Sequence, residues 1–188
     1  MQQSQAKLHA FTGGAHLEST RFYMGNLMSF LAKDSETGGR VALVEVRVKP
    51  GNEPPPHIHE WEHELYYVLE GELEFYCGVQ VLTAKAGESV FLPCGIAHAF
   101  YVRSPLVRTL LLVVAAGEHA VGLDRYFTGM SEPATSLRLP TETVTYAMVD
   151  LDHAIKWGLE NGVTLLSPEQ TARALPGYPG FGITPPAR

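Results

Sequence analysis

Three histidines and one glutamate stand at spacings that suit a divalent metal. His57 and His59 are two residues apart, so on a β-strand both imidazoles point to the same face. Glu64 follows five residues after His59, and His98 comes after the turn that begins at Pro93. Three imidazoles and one carboxylate suit a borderline ion such as iron, nickel, manganese, cobalt, copper or zinc. The four residues therefore predict one transition-metal site.

Four neighbouring residues compete with this assignment. Glu60 and Glu62 share the sequence parity of Glu64, and His63 is a further nitrogen donor. We favour Glu64 because it begins the next β-type run and its side chain should point to the inward face. His63 is one residue earlier in the chain, so its side chain should point outward. Cys94 stands in a turn, and nothing around it resembles the base and orienting group of a nucleophile. We therefore interpret Cys94 as a small turn residue.

The segment from Arg40 to Ala116 contains the elements that must position these residues. Val41 to Val48 alternates between apolar and polar side chains, which indicates a strand. Further short β-type runs follow, separated by Gly and Pro: Leu65–Leu69, Leu73–Cys77, Val79–Thr83, Val90–Leu92, Ala97–Val102 and Val107–Ala115. Strands this short at this spacing predict a mainly β fold, an antiparallel sandwich or barrel.

The flanking segments differ in character from this central part. The apolar-rich segment from Phe22 to Ala32, which contains Gly25, is predicted to be extended β structure. After Gly117 three short helices are predicted, each from an apolar stripe or a capping residue. The first helix is predicted from the apolar stripe Leu123, Tyr126, Phe127 and Met130. The second has Asp150 or Asp152 as its N-cap and an apolar face of Leu151, Ala154, Ile155 and Leu159. The third is predicted from the capping sequence Ser167-Pro168-Glu169-Gln170. We expect an N-terminal arm with strands packing on the barrel (1–38), the barrel (39–116) and a helical extension (117–188) in one structural domain.

Composition narrows the classes of function. A net charge of −6 disfavours nucleic acid as a partner. No apolar stretch reaches the roughly 18 residues that span a bilayer, the first residues lack a signal-peptide pattern, and two cysteines make no disulfide framework. We expect a cytoplasmic protein with reduced thiols and no membrane partner.

The region between Lys49 and Lys85 contains no Lys or Arg and is rich in glutamate. Such a region attracts a metal cation and repels phosphorylated substrates. Because surface glutamate is the norm, we expect most of its acidic residues on the solvated exterior. These residues are Glu53, Glu60, Glu62, Glu64, Glu70, Glu72 and Glu74.

The spacing of the histidines, glycines and prolines resembles the two motifs of the cupin family. The first motif corresponds to Gly51, His57, His59, Glu64 and Gly71, and the second to Gly87, Pro93, Gly95 and His98. Val102 stands where the family often has Asn, which affects a local hydrogen bond and no ligand. The resemblance implies a jelly-roll type β-barrel with one divalent metal on His57, His59, Glu64 and His98.

Within the cupins, residues 22–135 most resemble the single-domain proteins similar to quercetin 2,3-dioxygenase. The resemblance rests on Thr37-Gly38-Gly39-Arg40, Pro54-Pro55-Pro56-His57, Tyr67-Val68-Leu69-Glu70-Gly71 and Arg125-Tyr126-Phe127. It implies that a flavonol binds the metal through its deprotonated hydroxyl, that Glu64 serves as both ligand and base, and that dioxygen opens the ring with release of carbon monoxide. It also implies that flanking helical segments help to cover the barrel mouth. Homodimers are expected by analogy with the fold alone.

The expected pocket is apolar and aromatic, which favours a neutral, flat aromatic substrate over a sugar phosphate. Its predicted inward residues are Tyr66, Val68, Leu73, Phe75, Phe100 and Val102. Only Arg103 and Arg108 are near enough to bind a phosphate. The alternatives are an isomerase, epimerase or decarboxylase that needs no oxygen, a cupin oxygenase with a non-flavonoid substrate, and a ligand-binding cupin without activity.

Overall fold

The structure, a computed structural model, describes residues 8–141 and 150–182. The strands are β1 (Thr20–Tyr23), β2 (Asn26–Ala32), β3 (Val41–Val48), β4 (His57–His59), β5 (Glu62–Glu70), β6 (Glu72–Cys77), β7 (Gln80–Lys85), β8 (Ser89–Leu92), β9 (His98–Val102), β10 (Val107–Ala115), β11 (Glu132–Pro133) and β12 (Val163–Leu165). The α-helices are α1 (Leu123–Met130), α2 (Leu151–Glu160) and α3 (Pro168–Ala174), and short 3₁₀ turns span Leu17–Ser19 and Asp34–Glu36.

Two antiparallel sheets form the architecture. The seven-stranded sheet has the order β11-β1-β2-β3-β10-β5-β8, and the five-stranded sheet has the order β12-β4-β9-β6-β7. The prediction of a mainly β, antiparallel jelly roll with short C-terminal helices is confirmed. The two hydrogen-bonded sheets are not closed into a true barrel but face each other as in a jelly roll, with the apolar core between them.

The strand between Phe22 and Ala32 is broken in two by a tight turn. Met24 and Gly25 have φ values of 51° and 79°, and Tyr23 pairs directly with Asn26. A two-residue hairpin turn with positive φ at both central positions matches the twist of the flanking strands. Glycine adopts this geometry without strain, which explains Gly25 within an otherwise apolar run.

All three predicted helices are present, but α2 buries a different face from the one expected. Asp150 caps it through the N–H of His153, and Ala154 and Gly158 are its buried residues. A Cβ on Gly158 would lie 2.6 Å from the Val163 carbonyl oxygen, so the helix packs through its smallest residues. Its large apolar side chains Leu151, Ile155 and Leu159 are exposed instead. None of the helices in the described ranges is long and apolar enough to span a membrane.

The helical extension also supplies a strand that local sequence pattern does not reveal. Strand β12 pairs antiparallel with β4, so that Val163 lies opposite His59 and Leu165 opposite His57. Residues more than 100 positions after the His-x-His pair therefore form the edge of the sheet that carries it.

The acidic segment is less solvated than expected. Glu53, Glu62, Glu64 and Glu74 are all buried, whereas Glu60 and Glu70 are exposed. Each buried carboxylate has a specific partner, as burial of a charge requires. Glu53, for example, accepts hydrogen bonds from the N–H groups of Gly51 and Val102, and Glu74 pairs with Arg103 and Tyr76.

Candidate metal centre

The structure brings His57, His59, Glu64 and His98 together in the space between the two sheets. One ligand-type atom from each side chain lies within 4.8 Å of those of the other three, and all four residues are buried. The histidines come from the five-stranded sheet, where His57 on β4 pairs directly with His98 on β9. Glu64 comes from β5 of the opposite sheet. The cluster thus joins the two sheets.

Backbone carbonyls fix the orientation of two of the imidazoles. His57 Nδ1 lies 2.8 Å from the Pro55 carbonyl oxygen, and His98 Nδ1 lies 3.0 Å from that of Ile96. A proton on Nδ1 donates to each carbonyl and leaves Nε2 as a lone-pair donor. The two Nε2 atoms are 3.1 Å apart, so both point to one centre.

A second carboxylate, Glu62, lies at ion-pair distance from the third imidazole. Its Oε1 lies 3.0 Å from His59 Nδ1, and its Oε2 accepts a 2.7 Å hydrogen bond from the Gly122 N–H at the start of α1. His59 Nε2 then faces Glu64 Oε1 at 3.3 Å. A carboxylate behind a metal-binding histidine fixes the tautomer and strengthens the ligand. Our sequence interpretation weighed Glu62 only as a rival ligand; its parity signals an inward side chain, but not this role.

The charges within the cluster shift its pKa values strongly. Burial lowers the pKa of His59, but the carboxylates of Glu64 and Glu62 outweigh it and raise that pKa to about 10. Burial and the neighbouring imidazoles of His98 and His59 hold the pKa of His57 well below its usual value. Burial alone would raise the pKa of Glu64, but His59 and His98 hold it well below the usual range. The centre therefore carries an ionised carboxylate and has a strong affinity for positive charge.

Buried atoms without a hydrogen bond supply the test of whether a metal fits. Within the described residues, His59 Nε2 and Glu64 Oε2 face the centre, are buried and lack a hydrogen bond of acceptable geometry. The closest spacings, 3.1 Å from His98 Nε2 to His57 Nε2 and to Glu64 Oε2, fall within the ~3.0–3.4 Å between adjacent ligands at about 2.1 Å from an octahedral or tetrahedral metal. The donor set fits a divalent transition metal.

The other ligand candidates lie outside this centre. Glu60 is exposed, and its Oε1 accepts a hydrogen bond from the Thr164 hydroxyl. His63 lies on the outer face of β5, where its Nδ1 accepts the N–H of Cys94. Cys94 is partly buried and forms no disulfide bond with Cys77, and burial raises the pKa of its thiol. Cys94 therefore has none of the features of an activated nucleophile.

The predicted pocket residues are all buried, but only some of them line a cavity near the centre. A cavity of about 40 Å³ lies against His57, Glu64 and Tyr66. Another of about 40 Å³ is lined partly by Tyr66, Leu73 and Phe100. The remaining three predicted residues pack within the hydrophobic core: Val68, Phe75 and Val102.

Tyr66 lines the same cavity as the Glu64 carboxylate. Burial together with the charge of Glu64 raises the pKa of Tyr66 well above its usual value. The residue therefore remains a neutral phenol beside Glu64.

Comparison with known proteins agrees with this jelly roll and its cluster. Residues 44–114 match the family model described as the cupin domain. A germin-like protein of Arabidopsis thaliana, subfamily 2 member 2, is 41% identical over 63 residues, which cover 31% of this chain and 29% of that protein. The match thus spans less than a third of the relative's length.

Solved structures share the fold at low sequence identity. The structure of a predicted oxalate decarboxylase from Thermotoga maritima matches with a TM-score of 0.50 and 21% identity, and covers 56% of this chain and 100% of that one. A nucleoside dehydratase from Streptomyces matches with a TM-score of 0.47 and 18% identity, over 58% and 86% of the two chains. Residues 44–114 of this chain are therefore similar to the cupin domain, and the oxalate decarboxylase structure shares the fold.

Proposed function

We propose that the protein is a metal-dependent dioxygenase that uses dioxygen to open a ring of a neutral aromatic hydroxy compound of the flavonol type. The observation that carries this proposal is the buried cluster of three Nε2 atoms and one ionised carboxylate beside an uncharged, largely apolar cavity. Among the described residues that line that cavity, His57, Glu64 and tyrosines are the ones with an ionisable side chain. An anionic sugar phosphate or sugar acid would require a cationic partner there.

The cationic residues weighed for a phosphate are engaged elsewhere. Arg103 pairs with the buried Glu74, and Arg108 pairs with Glu45 at 2.8 Å. Neither lines the cavity beside the cluster. This arrangement supports a neutral substrate over a phosphorylated one.

Glu64 is the residue that would take a proton from the substrate. A divalent metal held by His57, His59, Glu64 and His98 would polarise a substrate oxygen and, when redox-active, support chemistry with dioxygen. The ionised Glu64 carboxylate would accept the proton of the substrate hydroxyl, and the Tyr66 phenol would hold that carboxylate in place. The apolar walls Pro54, Leu123 and Phe127 would exclude water from the reacting oxygen.

Quercetin is the first substrate to test. We would incubate the protein, reconstituted separately with iron, nickel, manganese or cobalt, with quercetin in the presence and absence of oxygen. Oxygen-dependent loss of the flavonol absorbance with release of carbon monoxide is expected, and Glu64→Gln should abolish it. Turnover without oxygen would favour an isomerase, epimerase or decarboxylase, and bound but unchanged quercetin would favour a binding role.

We also propose that two copies of the chain pair through the outer face of the seven-stranded sheet. Direct cross-strand pairs place Leu43, Leu112, Leu65 and Phe91 in one row across four strands. All four side chains are at least partly exposed, and Phe91 is 54% exposed. A solvated sheet face normally carries polar residues, whereas an apolar row suits an isologous contact with a second copy.

A further inference from the structure

A large, mainly apolar cavity lies outside the space between the sheets, beneath the helical extension. It has a volume of about 540 Å³, within the range of pockets that hold drug-sized ligands. The cluster's own cavity, at about 40 Å³, holds little more than the reacting group of a substrate. We call the cavity of about 540 Å³ the chamber. Its walls come from the β1–β2 turn, the proline segment before β4, strand β12, helices α1, α2 and α3, and the segment 178–181 after α3.

The chamber and the cluster's cavity share part of their walls. Tyr23, Pro55, Tyr126 and Leu165 line both. Two of these residues are linked directly to a candidate ligand: the Pro55 carbonyl accepts from His57 Nδ1, and Leu165 lies opposite His57 in the sheet. The chamber is therefore adjacent to the metal centre on the side of His57.

The chemistry of the walls specifies the kind of ligand. Among the described residues that line the chamber there is no Asp, Glu, Lys, Arg or His. Four aromatic rings and four prolines offer flat apolar surfaces: Tyr23, Tyr126, Tyr178, Phe181, Pro55, Pro56, Pro168 and Pro179. Such walls favour a neutral molecule with ring systems.

A pair of tyrosines stands where the two cavities meet. The Tyr23 and Tyr126 hydroxyl groups are 3.4 Å apart and buried, and burial raises the pKa of Tyr126, so its phenol stays neutral. A hydroxyl or carbonyl group that passes this point can exchange hydrogen bonds with the pair. An apolar body without such a group has no polar partner there.

We propose that the chamber binds the apolar ring body of the substrate, while its hydroxyl or carbonyl end passes Tyr23 and Tyr126 to reach the metal centre. The inference rests on the proposed function for the identity of the metal-bound end. It assigns substrate selection to the helical extension and β12, rather than to the residues between the two sheets.

The test measures binding without turnover. Nile red, a neutral polycyclic dye, would be titrated into the metal-free protein, followed by its fluorescence, and then displaced with quercetin. Ala172→Trp should fill the chamber from α3 and weaken binding by about tenfold or more, which corresponds to about 1.4 kcal/mol. The matched control is Arg173→Trp, at the next position of the same helix, which does not line the chamber and should bind as the unmodified protein does.

A second pair of variants keeps the test decisive if the tryptophan variant fails to fold. Leu151 lines the chamber at the start of α2 and is 61% exposed, while Leu159, 56% exposed, lies outside it on the same helix. Leu151→Asp places a charge on the chamber wall at a helix end that favours acidic residues, and it should weaken binding. Leu159→Asp should leave binding unchanged.

The outcomes separate this inference from the proposed function. Equal affinity of all folded variants for Nile red would overturn the chamber assignment, even if quercetin is turned over. Weakened binding in Ala172→Trp and Leu151→Asp, with both controls unaffected, would support the chamber even if no oxygen-dependent reaction is found.

Discussion

Glu62→Gln should lower the affinity for a divalent metal without removing a ligand. The glutamate contacts His59 Nδ1 at 3.0 Å through one oxygen and the Gly122 N–H at 2.7 Å through the other. Glutamine has the same shape but only one acceptor oxygen. If that oxygen accepts from Gly122, the amide N–H faces His59 Nδ1 and forces the ring proton onto Nε2, the atom that faces the metal centre.

The opposite orientation of the glutamine is also unfavourable. The amide N–H then faces the Gly122 N–H, and this leaves two buried donors without an acceptor, at a cost of about 1–3 kcal/mol. Both orientations therefore penalise the metal-bound state. We expect metal affinity to fall by about 10- to 100-fold, which corresponds to about 1.4–2.7 kcal/mol.

Competition with a chromophoric chelator would measure this affinity directly for cobalt or zinc, independently of any enzymatic activity. Glu60→Gln is the matched control, because Glu60 is exposed, lies two residues away and contacts Thr164 instead of the cluster. Unchanged affinity in a folded Glu62→Gln protein would refute the orienting role. An equal loss in Glu60→Gln would show that general charge, and not the contact with His59, is responsible.

Three further predictions concern the ligands, the outer sheet and pH. The double variant His57→Ala, His98→Ala should lose stoichiometric metal, measured by elemental analysis after dialysis, while its circular dichroism remains that of a folded β protein; full metal content would contradict the site. Leu112→Arg should convert a dimer into a monomer in sedimentation velocity experiments, and an unmodified protein that is already monomeric would contradict the proposed pairing. Burial and the neighbouring Asp34 carboxylate raise the pKa of Asp124 to about 6. Because the folded protein then holds this proton more tightly than the unfolded chain, its stability should decrease by up to about 3 kcal/mol as pH rises from about 4 to 6. Asp124→Asn should flatten this dependence in urea unfolding at several pH values, and an unaltered slope would show that other groups cause it.

Short-range spacing in the sequence was sufficient for most strands of the central segment and for the set of candidate ligands. The alternation of Val41–Val48 and the apolar run Val107–Ala115 predicted β3 and β10, because side-chain direction in a strand repeats every two residues. The same rule placed His57 and His59 on one face and His63 on the other. Capping residues predicted where α2 and α3 begin, because the free N–H groups of a helix need a nearby acceptor.

Contacts between distant parts of the chain decided the rest. The pairing of β12 with β4 joins Leu165 to His57, and the hydrogen bond from Gly122 to Glu62 joins α1 to His59. Local periodicity does not record such contacts, because each residue's pattern is compatible with many partners. The burial of Glu53, Glu62 and Glu74 and the place of the chamber beneath the helices followed from the same cause. The sequence by itself indicated which residues can hold a metal, and only the tertiary structure decided which side chains and which cavities surround them.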